Sequence, residues 1–320
     1  MQVNIINLWY SMYNYGASLT GYALQKVLQK YCKNTLINTG LRNFHKHESK
    51  SFYEFKYNNL EYTEYVSNSI DYEKLNDNAN IFITGSDQVF RPKYAFMERQ
   101  FSQFLLDFVR PENKKIAFSA SFGVDKEQFL KENSPETIKH MQDSLKTFDF
   151  ISVREKSGVE ICKDVFGVDA EWVIDPVFIL EKENYYNLIE NSNINYKNKI
   201  VAYVLDSDRE YNKAYKYLSK KHNKKVVKTA NSDISIENWL ASIRDCDLFV
   251  TDSFHGMCFA LIFNKPFICL ANKERGGSRF TSICEMLDVE NQCIDCAADI
   301  MEKDCVFKVD YQKVNINIEK

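Results

Sequence analysis

Short, largely apolar runs recur along this chain, most of them stopping at small polar residues and giving way to a segment with apolar positions at helical spacing. Val3 to Leu8, Ile81 to Thr84, Lys115 to Ser119, Phe148 to Val153, Lys199 to Leu205, Lys225 to Lys228, Asp247 to Thr251 and Pro266 to Leu270 are such runs. A strand covered on both faces needs no polar alternation, so these runs read as buried strands of a parallel sheet. Leu19 to Tyr31, Lys156 to Val165, Arg209 to Lys220, Ser235 to Arg244 and Gly256 to Phe263 read as the helices that parallel crossovers require. The strand-then-helix rhythm predicts an α/β protein.

A length of 320 residues with 45% hydrophobic side chains suits two packed cores, at roughly 100 to 200 residues per domain. Glu171 to Leu180, containing Asp175-Pro176, reads as the connection between them. The expected architecture is two Rossmann-like domains, 1–180 and 181–320, facing across a cleft in a GT-B-like arrangement. Residues 43–80, rich in Tyr, Phe, Glu, Lys and Asn, are expected to form an insertion or helical excursion rather than a sheet strand.

A net charge of −3, from 41 basic and 44 acidic side chains, argues against a protein built to neutralise nucleic-acid phosphates. No apolar run reaches the ~20 residues of a membrane span, and Met1 to Leu8 lacks the basic start and cleavage site of a secretory signal. The expected compartment is the cytoplasm, and the nine cysteines are expected to be reduced thiols. Cys162, Cys246, Cys258 and Cys269 read as core residues, while Cys284, Cys293, Cys296 and Cys305 cluster near the end. They form only one CxxC pair where a zinc ribbon offers two, which disfavours a metal site, and a surface-loop redox pair is not expected either.

Three places put polar chemistry at strand ends. Thr251-Asp252-Ser253-Phe254-His255-Gly256 joins a buried strand to an apolar helix, so Ser253 to Gly256 should sit outside a strand's carboxyl end, where α/β sheets bind ligands and a helix entrance attracts anions. Gly85-Ser86-Asp87-Gln88 closes another strand, and Asn14-Tyr15-Gly16-Ala17-Ser18 lies ahead of the first helix, with Ser18 placed to cap it. For Gly16 and Asp87 the competing reading is simple turn formation. No GxGxxG is present, and no GxSxG elbow supports a Ser-His-Asp hydrolase.

Together these blocks resemble the polysaccharide pyruvyl transferase family. The likeness runs through Asn14-Tyr15-Gly16-Ala17, Tyr22-Ala23-Leu24-Gln25, Gly85-Ser86-Asp87-Gln88, Ile151-Ser152-Val153-Arg154-Glu155, Asp175-Pro176, Ser253-Phe254-His255-Gly256 and Lys265-Pro266-Phe267. Ala17 departs from it, standing where many members carry an acid, and the chain ends sooner after Asp310 than many members do. The resemblance implies a GT-B-like fold and transfer of a pyruvyl group from phosphoenolpyruvate to a pair of sugar hydroxyls, giving a ketal on a surface-polysaccharide precursor of the exopolysaccharide or capsule kind. It implies no cofactor beyond this donor substrate and no metal. With a lipid-linked oligosaccharide acceptor, peripheral contact with the inner membrane face would follow.

The chemistry assigns residue types. Phosphate and carboxylate call for guanidinium groups, and Arg154, directly after a strand, and Arg279, in what reads as a loop after Gly276-Gly277-Ser278, are the candidates, with Ser253 and Gly256 completing the donor site. For Arg154 the competing reading is an ion pair with Glu155. His255 suits general acid–base work near neutral pH, with Asp252 a candidate to orient it. Asp87 is a candidate catalytic group at the sugar, with Ser86, Gln88, Asn14, Tyr15 and Gly16 on the acceptor side. Trp9, Tyr10, Tyr13 and Tyr15 offer a stacking wall for a sugar, or ordinary core packing. The rival functions are a GT-B glycosyltransferase using a nucleotide sugar, which would bind a nucleoside diphosphate, and a catalytically silent glycan-binding relative, indifferent to loss of His255.

Overall fold

A computed structural model describes residues 1–40, 49–94, 98–190, 192, 194–206, 209–230, 234–271, 276–302 and 309–319. The chain divides into two compact units, Met1–Leu180 and Glu181–Lys320.

The first unit holds a seven-stranded sheet of β1 (Gln2–Ile6), β2 (Lys33–Asn38), β3 (Tyr62–Tyr65), β4 (Ile81–Thr84), β5 (Lys114–Ala120), β6 (Phe150–Val153) and β7 (Glu171–Trp172). The strand order is β3-β2-β1-β4-β5-β6-β7, and every pairing is parallel. β2 and β3 extend the sheet to one side of β1, and β4 to β7 to the other. The topological switch, where ligands collect in such sheets, therefore lies between β1 and β4. Ile6, Phe82, Ala117, Ile151 and Val153 from the central strands join the phenylalanines of the following segments in one core, with Phe90, Phe122, Phe129 and Phe166 all fully buried.

The second unit holds five parallel strands, β8 (Lys199–Tyr203), β9 (Lys225–Lys228), β10 (Leu248–Thr251), β11 (Phe267–Leu270) and β12 (Cys293–Ile294). Their order, β12-β11-β10-β8-β9, puts the switch between β8 and β10. β10 and β11 are buried at every residue, as unbroken apolar runs require.

The helices differ from expectation at informative places. The first runs Tyr15–Gln29, beginning four residues before Leu19, because Asn14 caps it by accepting the Ala17 N–H at 3.1 Å. Ser18, expected as the cap, is buried inside the helix. Residues 43–48 of the aromatic excursion lie outside the described residues. The rest contains the helices Lys50–Asn59 and Ser69–Leu75 with β3 between them, so it does contribute a strand. β3 is an edge strand whose residues are only half covered, and its sequence, Tyr-Thr-Glu-Tyr, carries no apolar run. The segment read as the inter-domain connection supplies the two-residue β7 and a short helix, Pro176–Ile179. The expected loop around Arg279 is instead the first turn of a helix, Gly277–Leu287, whose N-cap Gly276 takes a left-handed φ of 103° that disfavours side chains.

Candidate functional site

In the first unit the carboxyl ends of β4, β5 and β6 are tied by one buried polar network. Arg154 follows β6 directly, and its backbone N–H donates to Ala120 O at 3.0 Å, so its side chain starts beside the end of β5. One terminal nitrogen of its guanidinium donates to Asp175 Oδ2 at 2.5 Å and Ser86 Oγ at 3.3 Å, the other to Asp87 Oδ1 at 2.8 Å. Burial alone would lower the guanidinium pKa, but the Asp175 and Asp87 carboxylates reverse this and raise it, so the group stays charged. The arginine is only 3% exposed. The carboxylates bonded here are Asp87 and Asp175, while Glu155, the partner of the competing reading, acts on Arg154 as a nearby charge. Ser86 is itself fully buried and donates to Asp175 Oδ2 at 3.1 Å.

Glu155 turns the other way and accepts from the Phe122 and Gly123 amides at 2.6 and 3.0 Å, just past β5. Burial pushes its carboxyl pKa up, against the opposing pull of Arg154 and the Gly123 amide. Gly123 sits at φ 73° with Gln88 against it, and an added Cβ would lie 1.9 Å from Gln88 Oε1. Gln88 also accepts from Arg91 Nη1 at 3.2 Å.

At the first helix entrance the predicted acceptor residues have local work. Asn14 is the cap, Gly16 is buried in the first turn, and the Tyr15 ring packs 4.8 Å from Phe52. Trp9 is fully buried and donates its indole N–H to Ile37 O at 3.1 Å, and Tyr10 packs edge-on against it. The stacking wall thus resolves largely into core packing, with Tyr13, 53% exposed, as the outlying member.

In the second unit the site lies at the β8/β10 switch. Asp252, the first residue past β10, accepts from the amides of Leu205 at 2.8 Å and Asp206 at 3.0 Å, both beyond β8. Its two oxygens thus pin the two strand ends together. Thr251 Oγ1 accepts from Ser253 N at 3.0 Å, and Ser253 Oγ caps the helix Phe254–Ile262 by accepting from Gly256 N at 3.3 Å. Ser253 and Gly256, both expected at the donor, are here partners of each other. A Cβ on Gly256 would lie 2.5 Å from Thr251 Oγ1, so the tight entrance requires glycine.

His255 sits in the first turn, 6% exposed, with its ring edge-on to Phe254 at 5.2 Å between centroids. Arg279, from the neighbouring helix, lays its guanidinium 5.1 Å from the centre of the same Phe254 ring and 6.0 Å from that of Phe280. One imidazole and one guanidinium are thereby gathered on a single aromatic side chain at a helix N-terminus. Phe254 was not singled out from the sequence, nor was Asp175 as a partner of Arg154. Asp175 had a usable signal, since Asp before Pro reads as an N-cap, and it does cap Pro176–Ile179 through the Val177 amide at 3.1 Å. Among the described residues no group of three or more His, Cys, Asp or Glu is arranged to hold a metal ion.

Two Rossmann-like units, each on an all-parallel sheet with polar residues gathered at the carboxyl ends of its strands, define a GT-B-like α/β protein. Solved structures of that build align over nearly the whole chain. The UDP-GlcNAc 2-epimerase from Neisseria meningitidis bound to UDP-GlcNAc is 8% identical with a TM-score of 0.59, covering 100% of this chain and 98% of that one. The UDP-N-acetylglucosamine 2-epimerase from Rickettsia bellii is 11% identical with a TM-score of 0.60, covering 99% and 92%. An α-glucosyltransferase in complex with UDP and a 13-mer DNA is 8% identical with a TM-score of 0.51, covering 99% and 95%. At such identities the likeness is one of fold. No curated protein matches the chain in sequence. The chain belongs to the polysaccharide pyruvyl transferase family, whose model matches residues 14–274. The matched range takes in every candidate catalytic, donor-side and acceptor-side residue but Arg279, and leaves out Trp9, Tyr10 and Tyr13 of the aromatic group.

Proposed function

We propose that this transferase moves the pyruvyl group of phosphoenolpyruvate onto two hydroxyls of a hexose in a surface-polysaccharide precursor, forming a ketal and releasing phosphate. The observation that carries the reading is the grouping of His255 and Arg279 around Phe254 at a helix entrance on the β8/β10 switch, in a chain of this family. The donor carries a carboxylate and a phosphate. The forked Arg279 guanidinium matches either of them, and the helix N-terminus favours the same charge.

His255 is assigned the proton transfers. Of the two protons the diol gives up, one ends on the methylene carbon, which becomes a methyl group, and the other leaves with phosphate. A positioned imidazole can take the first and deliver it to carbon, a contribution of roughly 10² to 10⁴ in rate. The second unit is thus the donor side. Asp87, held by Arg154, is assigned to the acceptor hydroxyls, with the first unit's residues Asn14, Tyr15, Gly16, Ser86 and Gln88 shaping that side. Arg154, expected at the donor from the sequence, is assigned on this reading to position Asp87, a role its bond to Asp87 Oδ1 supports. No cofactor or metal is assigned. No helix among the described residues is long and apolar enough to cross a membrane, and a lipid-linked acceptor would bring the enzyme to the inner membrane face peripherally from the cytoplasm.

The test is phosphate release and product mass with purified protein, phosphoenolpyruvate and a panel of lipid-linked and aryl hexosides, run beside His255→Ala. The expected product is heavier than the acceptor by pyruvate less one water, and the variant should lose at least about 100-fold in turnover. Binding of a nucleoside diphosphate with no binding of phosphoenolpyruvate would overturn the reading in favour of a nucleotide-sugar glycosyltransferase. Glycan binding without turnover, unchanged in the variant, would mark a silent relative.

A further inference from the structure

The helix Gly277–Leu287 that carries Arg279 in its first turn ends close to the edge strand β12, and the two elements meet through sulfur. Cys284 Sγ lies 2.8 Å from Cys293 Sγ, less than an ångström beyond the about 2.05 Å of a disulfide. Both cysteines are free thiols. Cys293 opens β12, opposite Cys269 in the parallel register, and its sulfur is also 3.8 Å from Met257 Sδ, two residues after His255 on the site helix. Cys293 and Cys296 form the one CxxC of this cluster. The fold instead turns Cys293 toward Cys284 and leaves Cys296 exposed. Cys305 lies outside the described residues.

We infer that Cys284 and Cys293 form a redox-responsive dithiol pair that closes to a disulfide under peroxide and locks the Arg279 helix to the sheet edge. The two thiols are unequal in access. Cys284 is 2% exposed, whereas Cys293 is half-buried, so an oxidant reaches Cys293 first. They are also unequal in acidity. Hydrogen bonds from Cys269 and Cys284 hold the Cys293 thiol below the ordinary thiol range, while its bond to Cys293, with burial, pushes Cys284 up. Cys293 is therefore the nucleophile and Cys284 the resolving thiol.

The chemistry balances. The Cys293 thiolate attacks one oxygen of hydrogen peroxide, the O–O bond breaks, and the departing hydroxide takes a proton to become water. Cys284 then attacks the sulfur of the Cys293 sulfenic acid. The S–S bond forms, the S–O bond breaks, and the hydroxyl leaves with the Cys284 proton as a second water. The two thiols lose two electrons and peroxide gains them.

The test treats the full-length protein with graded hydrogen peroxide, blocks remaining thiols by alkylation under denaturing conditions, and maps the linkages by mass. Cleavage after Glu285 and Glu290 and before Asp295 separates Cys284, Cys293 and Cys296 into different peptides. The expected result is a Cys284–Cys293 linkage, reversed by dithiothreitol, at peroxide levels that leave Cys162 and Cys246 alkylatable. Cys296→Ser should form the same bond at the same rate, and Cys284→Ser should leave a Cys293 sulfenic acid that dimedone traps. A linkage of Cys293 to Cys296 or to Cys269 would overturn the assignment. So would a wild-type protein in which Cys284 and Cys293 stay free, or in which Cys293 advances to sulfinic acid unlinked, while Cys296 oxidises.

Discussion

Arg154 and Glu155 are neighbours in sequence that solve opposite electrostatic problems. Arg154 is buried between Asp87 and Asp175, so removing its charge strands two carboxylates in the core. Arg154→Met should cost about 3 to 5 kcal/mol, read as a lower urea midpoint, and pairing it with Asp175→Asn should recover part of that loss. Glu155 carries a pKa raised by burial. Its contribution is fully present below about pH 4.3, the value of an unfolded glutamate, and is lost as pH rises through the higher folded value. Glu155→Gln keeps an oxygen for the Phe122 and Gly123 amides and removes the titration. Unfolding free energies from urea titrations should fall as pH rises from about 4.3 toward the raised folded value in the wild type, by at most about 1.4 kcal/mol per unit from this group, and that component should vanish in the variant. At this scale residue types were legible and partners were not. Asp87 and Arg154 are 67 positions apart and Arg154 and Asp175 are 21 apart. Only the order of strands β4, β5, β6 and β7 brings them together, and no local pattern encodes that order.

The elements follow their capping chemistry closely. Asn14→Ala removes the side-chain cap of Tyr15–Gln29 and should cost about 1 kcal/mol, measurable as a lowered thermal midpoint with the fold unchanged. Gly256→Ala forces a methyl against Thr251 Oγ1, which already accepts the Ser253 amide. It should cost about 1 to 3 kcal/mol and, on the proposed reading, should depress turnover by more than its stability loss explains, because the displaced turn carries His255. The central strands β4, β8, β10 and β11 could be read directly, since burial on both faces makes them continuously apolar. β2, β3, β7 and β12 were not legible in that way, β2 because Lys-Asn-Thr-Leu-Ile-Asn is mostly polar and the other three because they are edge strands of four residues or fewer. The Gly277–Leu287 helix escaped for a different reason, because two adjacent glycines signal a loop as readily as a left-handed cap.

The α/β class and two-unit build were legible because repeated strand–helix alternation over a chain of this length leaves few other packings. What sequence could not supply was the position of each topological switch, which depends on strand order. Each unit has its own hydrophobic cluster. A fragment of residues 1–180 should therefore unfold cooperatively in urea by circular dichroism. A fragment of residues 1–174 should not, because it lacks Asp175 and the Pro176–Ile179 helix that packs on Tyr15–Gln29. The same dependence is directional in time. On the ribosome β1 emerges first yet must wait for Ile81 to Thr84 to gain its second neighbour, and Arg154 must wait 21 residues more for Asp175. A nascent chain paused within that interval holds a buried cation with half its counter-charge, so the first unit's synthesis carries a built-in point at which it is most exposed to chaperones and proteases.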